Sequence, residues 1–154
     1  MQSMKPTAYN WIRLYLAIPL IFILTACEQD ERISIHVDNV RAWVAVASDQ
    51  ESRTTGLVGR QRLASDEGLL MVFPQEKTLK VWMLNMSIPI DVGYFDKNGM
   101  LLNTHSLEPD SGLATYASEG PAVYALELNK GWFKRHAIEK SAKLHLPYPI
   151  HATD

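Results

Sequence analysis

A tight turn at Asn98-Gly99, set between two apolar runs, is the feature that most limits what this chain can fold into. Asn-Gly readily adopts the positive φ angles of a short hairpin turn, and the runs Ile90 to Phe95 and Met100 to His105 flank it. The pattern predicts two antiparallel strands. A single hairpin is marginally stable in water, so further strands or helices must pack on it.

Other runs predict those further strands. Residues 33–37 alternate apolar and polar side chains, and residues 40–47 are rich in β-branched and aromatic types. Apolar runs bounded by turn residues predict strands at 68–73, 79–84, 122–128 and 142–146. Together they predict a mainly β (α+β) fold, a compact, mostly antiparallel sheet or barrel-like domain with one or two short helices.

Two short helices and one long loop complete the prediction. Ser48 and Glu51 have the spacing of a capping box, which predicts a helix that ends near Gly56 or Gly59. A helical turn is expected at residues 130–136. Residues 107–121 contain two prolines and two glycines, and they predict a long surface loop of the kind that often carries function.

The N-terminus has the layout of a secretion signal. Lys5 and Arg13 precede an apolar run over residues 14–24, and the small residues Thr25 and Ala26 follow. The run is shorter than the roughly 20 apolar residues that a transmembrane helix needs. Residues 1–26 are therefore predicted to be a cleaved signal peptide, with an uncleaved N-terminal anchor as the alternative.

Residues 24–27, Leu-Thr-Ala-Cys, resemble the lipobox of bacterial lipoproteins. The resemblance implies lipidation of Cys27, and two or more acyl chains anchor a protein stably to a membrane. Residues 27–32 then form the lipidated Cys and a short polar tether, and residues 33–154 a single globular domain. Glu28, in place of the Asp that favours inner-membrane retention, implies the outer membrane, with the domain facing the periplasm.

Charge and residue types exclude several functions. After residue 26 the chain has 13 basic and 17 acidic residues, a formal charge of 13 − 17 = −4, which argues against nucleic acid as a partner. Cys27 is the only cysteine, the five histidines lack metal-like spacing, and no Gly-x-Ser-x-Gly elbow is present. The sequence therefore predicts no catalytic residues, no metal site and no cofactor.

Three stretches resemble the domain of unknown function 192 family (DUF192): residues 53–60 with 68–74, residues 81–91, and residues 124–132. The match spans about residues 40–146. It implies a compact β-rich domain and supplies no established activity. This chain has Leu84 and Met86 where the family usually has Lys and Thr.

Five polar or amphipathic residues of these stretches are the candidate ligand-binding set: Arg60, Trp82, Asn85, Asp91 and Glu127. An Arg, two carboxylates and an indole suit the lining of a small-molecule cleft. The alternative is structural, because polar residues inside β domains usually have hydrogen-bond partners that stabilise the fold.

The sequence favours a non-enzymatic binding or interaction module in the periplasm, for a small molecule or an envelope protein. The alternative is a small hydrolase-like enzyme that acts on cell-envelope material. A pocket that pairs a carboxylate or His with a nucleophile would favour the enzyme, and an apolar groove with Arg60 at its rim would favour binding.

Overall fold

A curled seven-stranded sheet forms most of the molecule. The computed structural model describes residues 31–154, so the signal-like segment and Cys27 lie outside the described residues. The elements in chain order are β1 (Ile33–Val37), β2 (Val40–Ala47), α1 (Gln50–Thr55), β3 (Glu67–Lys77), β4 (Lys80–Val81), β5 (Ile90–Phe95), β6 (Leu101–Leu107), β7 (Tyr116–Ala117), β8 (Ala122–Asn129), α2 (Trp132–Arg135) and β9 (Leu144–His145). The predicted mainly β class with two short helices is confirmed.

The order in the large sheet is β6-β5-β8-β3-β2-β1-β9, and β4 pairs with β7 in a small second sheet. Only the β2–β3 pair of the large sheet is parallel. An isolated bridge between Met100 and Lys143 joins the two ends of the strand order. The sheet therefore curls into a half-barrel with apolar residues packed on both faces.

Alternation along the strands divides the apolar residues into two cores. One core lies on the face that packs against α2, here called the α2 face, and the other lies on the face covered by β4, here called the β4 face. Members of the first core include Ile35, Val44, Leu70, Phe95, Leu126, Trp132 and Phe133. Members of the second core include Leu57, Met71, Val81, Met83, Ile90, Tyr94 and Ala125.

The strand predicted at residues 79–84 is much shorter than expected. It ends at Val81, and the chain turns back so that the Met86 amide donates to the Met83 carbonyl at 3.1 Å. Asn85 takes a φ of 60° at this turn, a conformation that Asn tolerates better than most residues. The predicted loop at 107–121 likewise contains β7, which pairs with β4.

The capping box of α1 lies one residue later than predicted. Asp49, and not Ser48, is the N-cap: its carboxylate accepts from the Ser52 amide at 2.9 Å, and its own amide donates to the Ser52 hydroxyl at 3.3 Å. Asp is as good an N-cap as Ser. The helix ends at Thr55, and Gly56, the residue predicted near its end, is the C-cap with a φ of 52°.

The residues named for both cores all belong to the described segment, residues 31–154. This segment therefore contains the packing that a domain needs to fold. Its helices are short, and none of those described has the length and apolar character to cross a membrane.

Candidate functional site

An irregularity in β3 opens a cavity on the β4 face. β3 pairs regularly with β8 as far as Val72, opposite Tyr124, and the next pair joins Lys77 to Ala122. Five steps along β3 thus correspond to two along β8, so the intervening residues bulge away from the sheet. The bulge begins at Phe73, which lines the cavity, and Lys77 resumes the pairing with β8.

The cavity lies between this bulge, α1 and the segment that contains β4, and its volume is about 410 Å³. That volume is at the small end of the range for ligand sites. About half of its lining residues are apolar, and they come from several elements: Leu57, Val58, Met71, Phe73, Val81, Trp82, Leu84, Met86 and Ile90.

Glu127, on β8, lies in the floor of this cavity. Its side chain projects from the β4 face, its neighbours across the strands are Leu69 and Val92, and only 3% of it is exposed. Within residues 31–154 the structure shows no hydrogen bond or ion pair of this carboxylate. Every fully enclosed polar side-chain atom of this segment has a partner, so the carboxylate must reach the cavity.

Burial without a partner raises the pKa of Glu127 from its ordinary 4.5 to about 7, because desolvation disfavours the charged form. The nearby Tyr94 is fully buried, and its hydroxyl donates to the Tyr116 carbonyl at 2.6 Å. Burial and, secondarily, the charge of Glu127 raise the pKa of Tyr94. The floor is therefore a polar point in an otherwise apolar environment.

The rim of the cavity is cationic. Arg53, Lys77 and Lys80 line it, with Asp154 as the acidic neighbour. Arg53 is held by three carbonyls, those of Ser48, Val72 and Thr153 at 2.8 to 3.0 Å, so its main role is to attach α1 to β3 and the C-terminal tail.

The two lysines are available for other contacts. Both are exposed, and neither ammonium group forms an ion pair within the described part of the chain. Lys77 lies over the ring of Phe73, with its Nζ 5.4 Å from the centroid. Rim and floor therefore have opposite charge when Glu127 is ionised.

Apolar side chains also surround the mouth. Val58, Trp82 and Leu84 are three of the most exposed large hydrophobic residues, and each lines the cavity. Met83 and Met86 diverge at the turn, since Met83 is fully buried whereas Met86 lines the cavity. An exposed apolar rim around a partly enclosed pocket is typical of a binding site.

The structure brings together two of the five predicted site residues, Trp82 and Glu127, in this cavity. Asp91 lies on the opposite face of the sheet, because Val92 and not Asp91 is the partner of Glu127 across the strands. Asp91 is buried, and it accepts from the Ser106 hydroxyl at 2.6 Å and from the Phe133 amide at 3.4 Å. Its contacts therefore connect β5 to β6 and α2.

Arg60 and Asn85 lie elsewhere. Arg60 lines a separate depression of about 480 Å³, which shares residues 55–57 with the first cavity. Asn85 is exposed at the tip of the turn after β4. No residue of the loop at 107–121 lines the main cavity. Gly112 of this loop nevertheless packs against Leu84, a residue of the cavity wall.

Sequence reasoning missed the cationic rim and the β3 bulge. Exposed lysines have no local signature, and a bulge depends on pairing with a distant strand. No histidine lines the cavity, and His105 instead contacts the Ala117 carbonyl at 2.9 Å through Nε2. Thr54 and Thr55 supply the hydroxyls of the lining, and that of Thr54 donates to the Gln50 carbonyl.

The sequence profile of the DUF192 family, described as “Uncharacterized ACR”, matches residues 33–146. None of the curated proteins compared with the chain matches it.

Two crystal structures are similar to the fold. One, described as a “putative transcription regulator” from Sinorhizobium meliloti 1021, is 27% identical with a TM-score of 0.68, over 75% of this chain and 92% of that chain. The other, a protein of unknown function from Novosphingobium aromaticivorans DSM 12444, is 20% identical with a TM-score of 0.68, over 78% and 89%. The shared fold therefore accounts for about nine tenths of each of those two chains.

Proposed function

The chain belongs to the DUF192 family of uncharacterised proteins, and from that premise and the cavity we propose that its domain binds a small molecule between α1, the β3 bulge and β4. The observation that carries the proposal is Glu127, a buried carboxyl that lines the cavity without a hydrogen-bond partner in residues 31–154. Such a group costs stability. A ligand that forms a hydrogen bond with the Glu127 carboxyl offsets that cost.

The surroundings of Glu127 support binding over a purely structural role. A structural carboxylate has its hydrogen bonds from the protein, as Asp91 does. Glu127 faces open volume with apolar walls instead, and Trp82 stands at the mouth with about half of its surface exposed. Apolar wall residues combined with polar groups at defined positions are the usual form of a small-molecule site.

Blocking the cavity tests this proposal. Thr54 is an exposed residue of the lining, so Thr54→Trp is expected to fill the mouth without altering either core. A panel of aliphatic and aromatic fragments would be screened by thermal unfolding of residues 31–154. A fragment at about 100 times its Kd stabilises the wild type by about 2.7 kcal/mol, which raises Tm by several degrees, and we expect Thr54→Trp to abolish that rise.

Thr104→Trp is the matched control, because Thr104 is an exposed residue of β6 outside the cavity. This variant should respond to the fragments like the wild type. If fragments stabilise Thr54→Trp as much as the wild type, or if none stabilises the wild type, the cavity is not the binding site.

We also propose that the domain is held at the bacterial envelope by lipid on Cys27, with the outer membrane and its periplasmic side as the location. The supporting observation is the lipobox-like sequence at residues 24–27 behind a signal-like segment. Mass spectrometry of the native protein is expected to find a chain that begins at Cys27 with added acyl mass. A chain that begins at Met1 with a free thiol, or a Cys27→Ser variant processed in the same way, would refute lipidation.

A small hydrolase-like enzyme acting on cell-envelope material is the second candidate, and one observation favours it. The pKa of about 7 for Glu127 suits a general acid or base at neutral pH. In the described residues no hydroxyl forms a hydrogen bond with this carboxylate, and the Thr54 hydroxyl donates to the Gln50 carbonyl. Binding is therefore the better supported function.

A further inference from the structure

We propose that the ligand of this cavity is a small zwitterionic amphiphile, with a hydrogen-bond donor such as an ammonium group at its inner end, an apolar body, and an anionic group at its outer end. The inference rests on the proposed binding function and assigns it a ligand class. It follows from the opposite chemistry of the two ends of the cavity: Glu127 at the floor, and Lys77 and Lys80 at the rim.

The inner end of the ligand is fixed by the floor. An ionised carboxylate only accepts hydrogen bonds, and the protein supplies no donor to Glu127 within residues 31–154. A purely apolar ligand end would displace water from the carboxylate and leave it unsatisfied. An ammonium group would instead provide a charge-assisted hydrogen bond, which is stronger than a neutral one.

The outer end is fixed by the rim. Three basic side chains and one acidic side chain line the rim, those of Arg53, Lys77, Lys80 and Asp154, so the rim side chains have a formal excess of 3 − 1 = +2. Arg53 is occupied with backbone carbonyls, whereas both lysines are exposed and have no ion pair in the described part. An anionic group at the mouth would contact these two ammonium groups.

The body of the ligand is apolar because the walls between rim and floor are. Met71, Val81 and Ile90 are buried side chains of the wall, and Phe73 and Trp82 add aromatic surface nearer the mouth. A ligand with a charge at each end and an apolar chain between them matches the order of floor, wall and rim.

Three related probes test the assignment by isothermal titration calorimetry at pH 8 with residues 31–154. The probe 8-aminooctanoate carries both end groups, octanoate lacks the amine, and octylamine lacks the carboxylate. We expect 8-aminooctanoate to bind at least about tenfold more tightly than octanoate, the effect of one charge-assisted hydrogen bond. The gain over octylamine should be smaller, about threefold, because the lysines are exposed to solvent.

Variants locate each end. Glu127→Gln should reduce the affinity for 8-aminooctanoate to about that for octanoate, and Lys77→Ala with Lys80→Ala should reduce it to about that for octylamine. Lys134→Ala, an exposed lysine on α2 outside the cavity, should change neither. The salt dependence of binding should fall in the double lysine variant only.

The outcomes separate this inference from the proposed function. If octanoate binds as tightly as 8-aminooctanoate, or if Glu127→Gln leaves the preference unchanged, the ligand class is wrong although the cavity still binds. If none of the three probes binds while fragments still stabilise the wild type and not Thr54→Trp, the class is wrong and the binding function stands. If fragments also fail that test, the binding function itself is wrong.

Discussion

At pH 9 the Glu127→Gln variant is expected to be more stable than the wild type, by about 3 kcal/mol. Burial raises the pKa of Glu127 from 4.5 to about 7, and each unit of such a shift corresponds to about 1.4 kcal/mol. In the wild type an ionised carboxylate must stay buried above pH 7. Glutamine has nearly the same shape and no charge, so the variant avoids that cost.

The sign of the pH dependence follows from proton binding. Between pH 4.5 and about 7 the folded wild type holds a proton on Glu127 that the unfolded chain releases. Stability of the wild type therefore falls as pH rises through this window, relative to the variant, and stays lower above it. At pH 4 both states are protonated, and the two proteins should have nearly the same free energy of unfolding.

Urea denaturation of residues 31–154 between pH 4 and pH 9 measures this difference. Glu119→Gln is the matched control, since Glu119 is exposed and its hydrogen bond and ion pair with Lys140 lower its pKa. Removing the Glu119 carboxylate should not increase the free energy of unfolding at pH 9. A constant difference between Glu127→Gln and the wild type across the range would mean that Glu127 is not desolvated.

Trp132→Ala is expected to lower the free energy of unfolding by about 3 to 5 kcal/mol, the usual cost of removing a large buried aromatic side chain. Trp132 is fully buried, its ring packs edge-on against Phe133 at 5.3 Å, and its indole N–H donates to Asp66 at 3.0 Å. This decrease would be a large part of the roughly 5 to 15 kcal/mol by which a native domain is typically stable.

Trp82 provides the comparison, because it is of the same residue type and about half exposed at the cavity mouth. Trp82→Ala should change stability by about 0.5 kcal/mol or less and yet weaken ligand binding. Urea midpoints of the two variants give the stability difference. Equal losses from both substitutions would mean that Trp82 has a structural role and would weaken the case for the site.

Much of the fold could be predicted because its signals are local. The Asn98-Gly99 turn does join β5 to β6, with a positive φ of 77° at Gly99 and none at Asn98, and apolar runs bounded by turn residues located most strands. The exceptions depend on distant contacts. β4 stops at Val81 because the chain turns back over the sheet, and β7 forms only because β4 lies beside it.

The candidate site was only partly predictable for the same reason. Trp82 and Glu127 share the cavity, but which carboxylate lies on which face depends on strand register, and one step separates Asp91 from Val92, the partner of Glu127. Arg60 lies beyond α1 in the other depression. The bulge between Val72 and Lys77 is a property of the β3–β8 pairing.

The most direct test of the account is to locate a bound fragment by nuclear magnetic resonance. Amide shifts of ¹⁵N-labelled residues 31–154 would be followed during titration with a fragment that raises Tm. We expect the largest shifts at Val81, Trp82 and Glu127, which line the cavity. Shifts confined to the depression beside Arg60, or absent at Glu127, would contradict that expectation.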